Sequence, residues 1–160
     1  MNESGELLAI WLKRFKRGPM DAVQSAQLVA GRGLAGNTDQ GGKRQVTMID
    51  EAGWEAASRA LGYLPGMTPD PRLRRANLML RGISLFKTHG RVLRIGSVRI
   101  RIYGEVTPCR KMEESLRGLQ EALRPEWRGG AFGEVLDDGE IRVGDAISWE
   151  SVNQPASSAV

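Results

Sequence analysis

Cys109 is the only cysteine in the chain. It stands in Thr107-Pro108-Cys109-Arg110-Lys111-Met112, between a predicted strand and a predicted helix. A thiol at a helix start faces free backbone N–H groups, and Arg110 and Lys111 add positive charge beside it; both effects favour the thiolate. A thiolate is a nucleophile, a carrier of sulfur, or a soft ligand for a heavy metal. The opposing possibility is a small buried apolar side chain, the common fate of a free cysteine. Position alone leaves both open. Glu105, at the end of the preceding strand, could orient or deprotonate the thiol, although a strand-end carboxylate is more often solvated. Arg128-Gly129-Gly130 could cradle a phosphate through backbone N–H groups, or be an ordinary turn. His89 is the one histidine and reads as a surface turn residue. With so few Cys and His, neither a disulfide framework nor a four-ligand structural zinc site can be built.

The elements that must position these groups follow from pattern. Leu7 to Phe15 (LLAIWLKRF) suits a first strand, and a second apolar run, AVQSAQLVAGRG, ends in glycines. Residues 31–42 are too glycine-rich for a helix or a central strand and predict a loop. Val46, Thr47, Met48 and Ile49 predict a strand. Asp50 is placed to cap a helix with Trp54, Ala57 and Leu61 on one face and Gly62 at its stop. Residues 63–73 form a proline-broken loop. Val98, Ile100 and Ile102 alternate with Arg99, Arg101 and Tyr103, a clear strand signal, with Gly96-Ser97 as a hairpin turn before it. Arg110 to Leu123 predicts one amphipathic helix with Met112, Leu116, Leu119 and Leu123 on a stripe and Glu113 paired with Arg117. Asp138-Gly139 predicts a hairpin before a last strand. Trp11, Trp54, Trp127 and Trp149 are widely spread and are expected in core or rim packing.

The 160 residues fit one domain over residues 1–150, with a small, polar tail over 151–160 expected to be disordered. Short strands, two helices and no repeat predict a mostly β protein, a closed or partly open β-barrel with a few peripheral helices. No apolar run is long enough to span a bilayer. The basic residues near the N-terminus follow the apolar patch rather than precede it, the reverse of a secretory signal, so a cytoplasmic protein is expected. The net charge of +4 favours anionic partners. Because the basic residues are scattered, a phosphate-bearing small molecule is as compatible as nucleic acid.

Several segments, in order, resemble the MOSC domain, the module named after the C-terminal region of molybdenum cofactor sulfurases. Gly33-Leu34-Ala35-Gly36 looks like its glycine-rich loop, and Lys43-Arg44-Gln45-Val46-Thr47 like the strand that follows. Arg75-Ala76-Asn77-Leu78 is similar to its Arg-x-Asn-hydrophobic segment, and Gly82-Ile83 follows in place. Gly90 to Gly104 resembles the long hairpin before the cysteine. Pro108-Cys109-x-x-Met112 is the most specific element, and Arg128-Gly129-Gly130 with Gly139-x-Ile141-x-Val143-Gly144-Asp145 resembles the closing segment. The likeness runs from about Gly18 to Glu150.

The resemblance implies a MOSC-like β-barrel and a function tied to the molybdenum cofactor (molybdopterin). Carried over, Cys109 ligates molybdenum or carries sulfur, and Arg75 and Asn77 hold the cofactor, where a guanidinium and an amide suit a phosphate and a pterin. Arg44 and Thr107 are weaker candidates for the same task, equally readable as a surface charge and a strand hydroxyl. The implied activity is reduction of N-hydroxylated or N-oxygenated compounds, or sulfur carriage. The implied partners are an electron-donor redox protein or a cysteine desulfurase-type sulfur donor, beside a small-molecule substrate. One departure stands out: where the family often has Gly-Asp-x-His, this chain has Gly36-Asn37-Thr38-Asp39. A barrel that has lost the cofactor is therefore a competing reading. Another is a basic barrel gripping nucleic acid, which the scarcity of aromatic side chains disfavours.

Overall fold

A computed structural model describes residues 4–151. In chain order the elements are β1 (Ser4–Lys13), β2 (Met20–Val23), β3 (Ser25–Val29), β4 (Gly33–Leu34), β5 (Val46–Asp50), α1 (Glu51–Ala60), β6 (Leu78–Arg81), β7 (Val92–Ile95), β8 (Val98–Glu105), α2 (Arg110–Ser115), α3 (Leu119–Ala122), β9 (Ala131–Val135), β10 (Gly139–Arg142) and β11 (Ala146–Trp149). Single 3-10 turns lie at Pro71–Arg74 and Pro125–Trp127. Seven strands close a barrel in the order β11-β7-β8-β9-β5-β6-β1, because β1 pairs back onto β11; β2 extends the sheet beyond β1. Closure leaves no free edge inside the barrel wall. A second small sheet, β10-β3-β4, stands apart. The pair β5–β6 is parallel, so the chain must cross over between those strands. That crossover is α1 and the long segment after it.

Alternation along the strands produces two cores. Leu7, Ile10, Val46, Met48, Leu78, Leu80, Val98, Ile100 and Ile102 fill the barrel interior. Trp11, Ile49 and Met79 point the other way and pack against Trp54, Ala57, Met112, Leu119 and Leu123 of the helical layer. The predicted inward set on β8 is thus correct. So is the cap: Asp50 Oδ1 accepts from Gly53 N at 2.7 Å, and its Oδ2 accepts from Leu85 N at 3.0 Å. Trp11, Trp54 and Trp149 are buried and Trp127 is partly buried against the barrel core, as expected of packing residues.

Five expectations are corrected. The first strand starts at Ser4 and ends at Lys13, leaving Phe15 in the following turn. The glycine-rich segment is not wholly loop, for Gly33–Leu34 pairs with β3. The single helix over Arg110 to Leu123 is two short ones, α2 and α3, interrupted at Gly118 with φ +88°. The break changes the role of Glu113. It does not pair with Arg117; its carboxylate accepts from Gly118 N at 2.8 Å and Gln120 N at 3.2 Å, so it satisfies the start of α3. The apolar stripe still holds, since Met112, Leu119 and Leu123 are buried in the same layer.

The hairpin at Asp138-Gly139 does not form either, because β10 leaves the barrel and pairs with β3. Two carboxylates anchor this departure. Asp138 accepts from Ala30 N at 2.8 Å, and Asp137 accepts from Arg99 N, Nε and Nη2 at 3.1, 2.9 and 3.0 Å. The Arg99 hydrogen bonds and charge hold the Asp137 carboxyl below the usual aspartate range. A depressed folded-state pKa contributes stability above the unfolded value, and that contribution is lost as pH falls through the folded one. Asp137→Asn is expected to lower stability near neutrality by up to about 1 kcal/mol, the scale of a partly exposed pair. Urea unfolding at stepped pH should show the difference shrinking in acid; a constant difference would contradict the assignment. The tail expected to be disordered lies, from residue 152 on, outside the described residues.

Candidate functional site

After β8 the chain runs Val106, Thr107, Pro108 and Cys109 into α2. Val106 N donates to Gly130 O at 2.9 Å, which fixes the segment to the Trp127–Gly130 turn. Val106 and Pro108 are buried, whereas Thr107 and Cys109 are exposed. Cys109 occupies the N-cap position of α2 with an extended backbone, and its side chain makes no capping hydrogen bond. The thiol is therefore exposed and uncommitted, which removes the buried-apolar alternative. The helix behind it has six residues, far shorter than the one expected.

Arg74 and Arg75 diverge at the end of the 3-10 turn. Asp70 caps that turn, accepting from Arg72 N at 2.9 Å, and Arg75 closes it with φ +62° and ψ +37°. The left-handed residue reverses the side-chain direction. Arg75 Nη2 donates to Gly18 O, across to the turn after β1. Arg74 goes inward: it is 5% exposed, its Nε donates to Gly129 O at 2.6 Å, and its Nη2 is buried without a partner. Gly129 in turn lies against the cysteine segment, where an added Cβ would sit 2.9 Å from Val106 O and 3.4 Å from Pro108. Burial pushes the Arg74 guanidinium down to about 10; the positive charge of Arg44 lowers it further, and the charge of Cys109 opposes both.

Arg44 is exposed, its guanidinium 5.1 Å from the centre of the Phe132 ring. Asn77 is buried, and protein groups fill its amide. Its Oδ1 accepts from Thr47 N at 3.2 Å and Thr47 Oγ1 at 3.3 Å, and its Nδ2 donates to Trp11 O at 3.1 Å and Asn37 Oδ1 at 3.2 Å. Asn37, in the altered loop, belongs to the same network, its Oδ1 also accepting from Lys13 N at 2.8 Å. Asp39 is exposed and paired with Lys13 at 3.0 Å. His89 is exposed, as a turn residue should be. Arg75 and Asn77 engage the frame around β1, Arg44 lies over Phe132, and Cys109 stands by itself on the surface at the start of α2. Sequence reasoning missed Arg74. Nothing in the local sequence distinguishes it from Arg75, since either side chain could face solvent.

Among the described residues no three His, Cys, Asp or Glu side chains converge on a metal position. A metal held by Cys109 would therefore have to arrive with other ligands of its own. The uncommitted thiol and the unpartnered buried guanidinium fit such an anionic, metal-bearing group. The Asn77 amide has no capacity left for it.

These features define a small closed β-barrel that presents one exposed thiol at a strand-to-helix junction, with a buried arginine held by the neighbouring Gly129 carbonyl. The MOSC domain model matches residues 34–148, and the chain belongs to the MOSC domain family. No protein of curated function matches its sequence. Among solved structures, the YuaD protein from Bacillus subtilis superposes with a TM-score of 0.79 at 16% identity, covering 96% of this chain and 99% of that one. YiiM from Geobacillus stearothermophilus gives 0.72 at 14% identity, over 95% and 78% of the two chains. YiiM from Escherichia coli gives 0.68 at 15% identity, over 94% and 70%. At these identities the likeness establishes the barrel fold. No helix among the described residues is long and apolar enough to cross a membrane.

Proposed function

We propose that this MOSC protein works through Cys109 as the protein's attachment point for the molybdenum cofactor or for transferable sulfur. The observation that carries this reading is an exposed thiol with no capping hydrogen bond, set against a buried arginine whose Nη2 lacks an acceptor. Cys109 would hold the metal or the sulfur, and Arg74 and Arg44 would face the negative charge of the bound group. Thr107, exposed two residues before the thiol, would contact it as well. Arg75 and Asn77 act from behind by fixing the β1 turn and the 35–45 loop. Bound there, the cofactor would supply reduction of N-hydroxylated or N-oxygenated compounds, with electrons from a separate redox protein. In the carrier form the Cys109 thiolate attacks the outer sulfur of a desulfurase persulfide. That sulfur moves to Cys109 and the donor departs as its thiolate.

The test is molybdenum and pterin analysis of wild type and Cys109→Ala from a molybdate-supplemented host. We expect near-stoichiometric molybdenum in wild type and background in the variant. Made in a host that lacks the cofactor, the two proteins should differ in unfolding by less than about 0.5 kcal/mol, since the removed side chain is exposed and unbonded. Equal molybdenum in both proteins would remove Cys109 as the ligand. A wild type without molybdenum, from a host shown to make the cofactor, leaves the carrier form, which requires a trapped persulfide on Cys109; absence of both ends the proposal.

A further inference from the structure

Phe15 is 62% exposed, although a large aromatic ring normally packs into a core or an interface. It opens the turn between β1 and β2, where Gly18 N donates to Phe15 O at 2.8 Å. Lys16 and Arg17 occupy the two corners of that turn, and both are exposed. Arg17 has φ +64°, a left-handed conformation that glycine takes more easily. The turn itself does not call for an arginine there. Its base is braced: Arg75 Nη2 donates to Gly18 O, and a Cβ on Gly18 would lie 2.9 Å from the Phe15 ring, so glycine lets the ring lean on the turn. Strand β2 lies outside the closed ring of strands and pairs only with β1, so the turn belongs to an appended hairpin. The charges beside the ring are unevenly neutralised. Lys13 pairs with Asp39 at 3.0 Å and Arg14 with Asp21 at 3.1 Å. Among the described residues Lys16 and Arg17 have neither an ion pair nor a side-chain hydrogen bond. Leu64 and Met67, in the loop after α1, are as exposed as Phe15, but residues 62–70 contain no cation.

We propose that the β1–β2 turn is a docking tip for an anionic lipid surface: the Phe15 ring enters the headgroup layer while Lys16 and Arg17 meet its acidic groups. Each basic residue near such a surface adds attraction, and an aromatic ring gains by leaving water at the headgroup boundary. Lys13 and Arg14 add to the field, because their exposed ion pairs are weak and exchange readily for headgroups. Shape decides against nucleic acid. Single strands are held in grooves where several rings stack successive bases, and this tip offers one ring. The contact is peripheral and stands apart from Cys109 and whatever that thiol holds.

The test is cosedimentation of the full-length protein with two kinds of vesicle, phosphatidylcholine alone and phosphatidylcholine mixed with phosphatidylserine. Wild type is expected to partition onto the mixed vesicles, to stay in solution with the neutral ones, and to bind more weakly as salt rises. The partition coefficient should fall roughly thirty-fold in Lys16→Gln/Arg17→Gln, the loss of two basic residues at an anionic leaflet. In Phe15→Ser it should fall about ten-fold, the scale of one aromatic ring left in water. Arg17→Gly suits the left-handed backbone, so it should lower the coefficient about five-fold without lowering Tm. A folding defect cannot produce that result. Wild type that ignores the mixed vesicles, or binds the neutral ones equally, overturns the proposal. So does binding that survives the three hairpin variants and is lost in Leu64→Ser/Met67→Ser, which places the contact on the other exposed apolar loop. Binding to a single-stranded oligonucleotide that Phe15→Ser abolishes, with no vesicle binding, would show the ring stacking on bases and equally end the proposal.

Discussion

Gly130→Ala is expected to cost more than about 4 kcal/mol, the range reached when backbone must move to relieve overlap, whereas Gly62→Ala should cost about 1 kcal/mol. The two glycines share the same left-handed φ of +96°, so the conformational penalty of adding a Cβ is common to both. Their surroundings differ. A Cβ on Gly130 would lie 2.0 Å from Met48 O and 3.0 Å from Ile49 Cγ2, while one on Gly62 meets nothing within 4 Å. Relief at Gly130 requires separating β5 from β9, whose register pairs Met48 with Ala131. It also disturbs the Val106 N to Gly130 O bond that seats the cysteine segment. With a typical domain stability of about 5–15 kcal/mol, such a loss leaves little folded protein on heating. Thermal or urea unfolding of the two variants side by side separates the steric part from the conformational part. Equal losses would show that the close approach of Gly130 to β5 is absent.

Asn77→Ala should lower stability by about 3 kcal/mol, because it deletes several buried hydrogen bonds and strands their partners. In a domain of this size that is roughly a 10 °C fall in Tm. The amide joins three pieces of chain: Trp11 on β1, Thr47 on β5, and Asn37 in the loop between β4 and β5. Asn77→Asp should not rescue it, since a carboxylate cannot donate to Trp11 O and Asn37 Oδ1 and would bring a charge into a site 6% exposed. The measurement also bears on the role that the family resemblance implies for this residue. A variant as stable as wild type that loses only molybdenum would make Asn77 a direct cofactor contact. A variant that unfolds early makes it part of the frame behind Cys109.

The barrel was legible in the sequence to the extent that local physics decides it. Alternation at Val98, Ile100 and Ile102 needs only the period of a strand. Asp50 before an amphipathic run needs only the unsatisfied N–H groups of a helix start, and the Gly96-Ser97 turn only a left-handed residue at a hairpin. The order of short motifs around Pro108-Cys109 was enough to point to the family. Cys109 was found because a single thiol is easy to see.

One miss was local: Gly118 takes a left-handed φ and the Glu113 carboxylate starts a second short helix, although a glycine inside a helical pattern already hints at a break. The others depend on groups far apart in the chain. Asp137 and Asp138 turn the chain out of the barrel because their acceptors find Arg99 and Ala30, which lie 38 and 108 residues away along the chain. Arg74 and Arg75 are the same residue type, one position apart, and their sequence cannot say which is buried. The left-handed geometry at Arg75 and the Gly129 carbonyl decide it. The sequence by itself determined most of the strands, the mostly β class and the lone thiol, since each follows from patterns within a few residues. Only the tertiary structure decided which of the two arginines is buried, because the choice is made by a carbonyl 55 residues further along the chain.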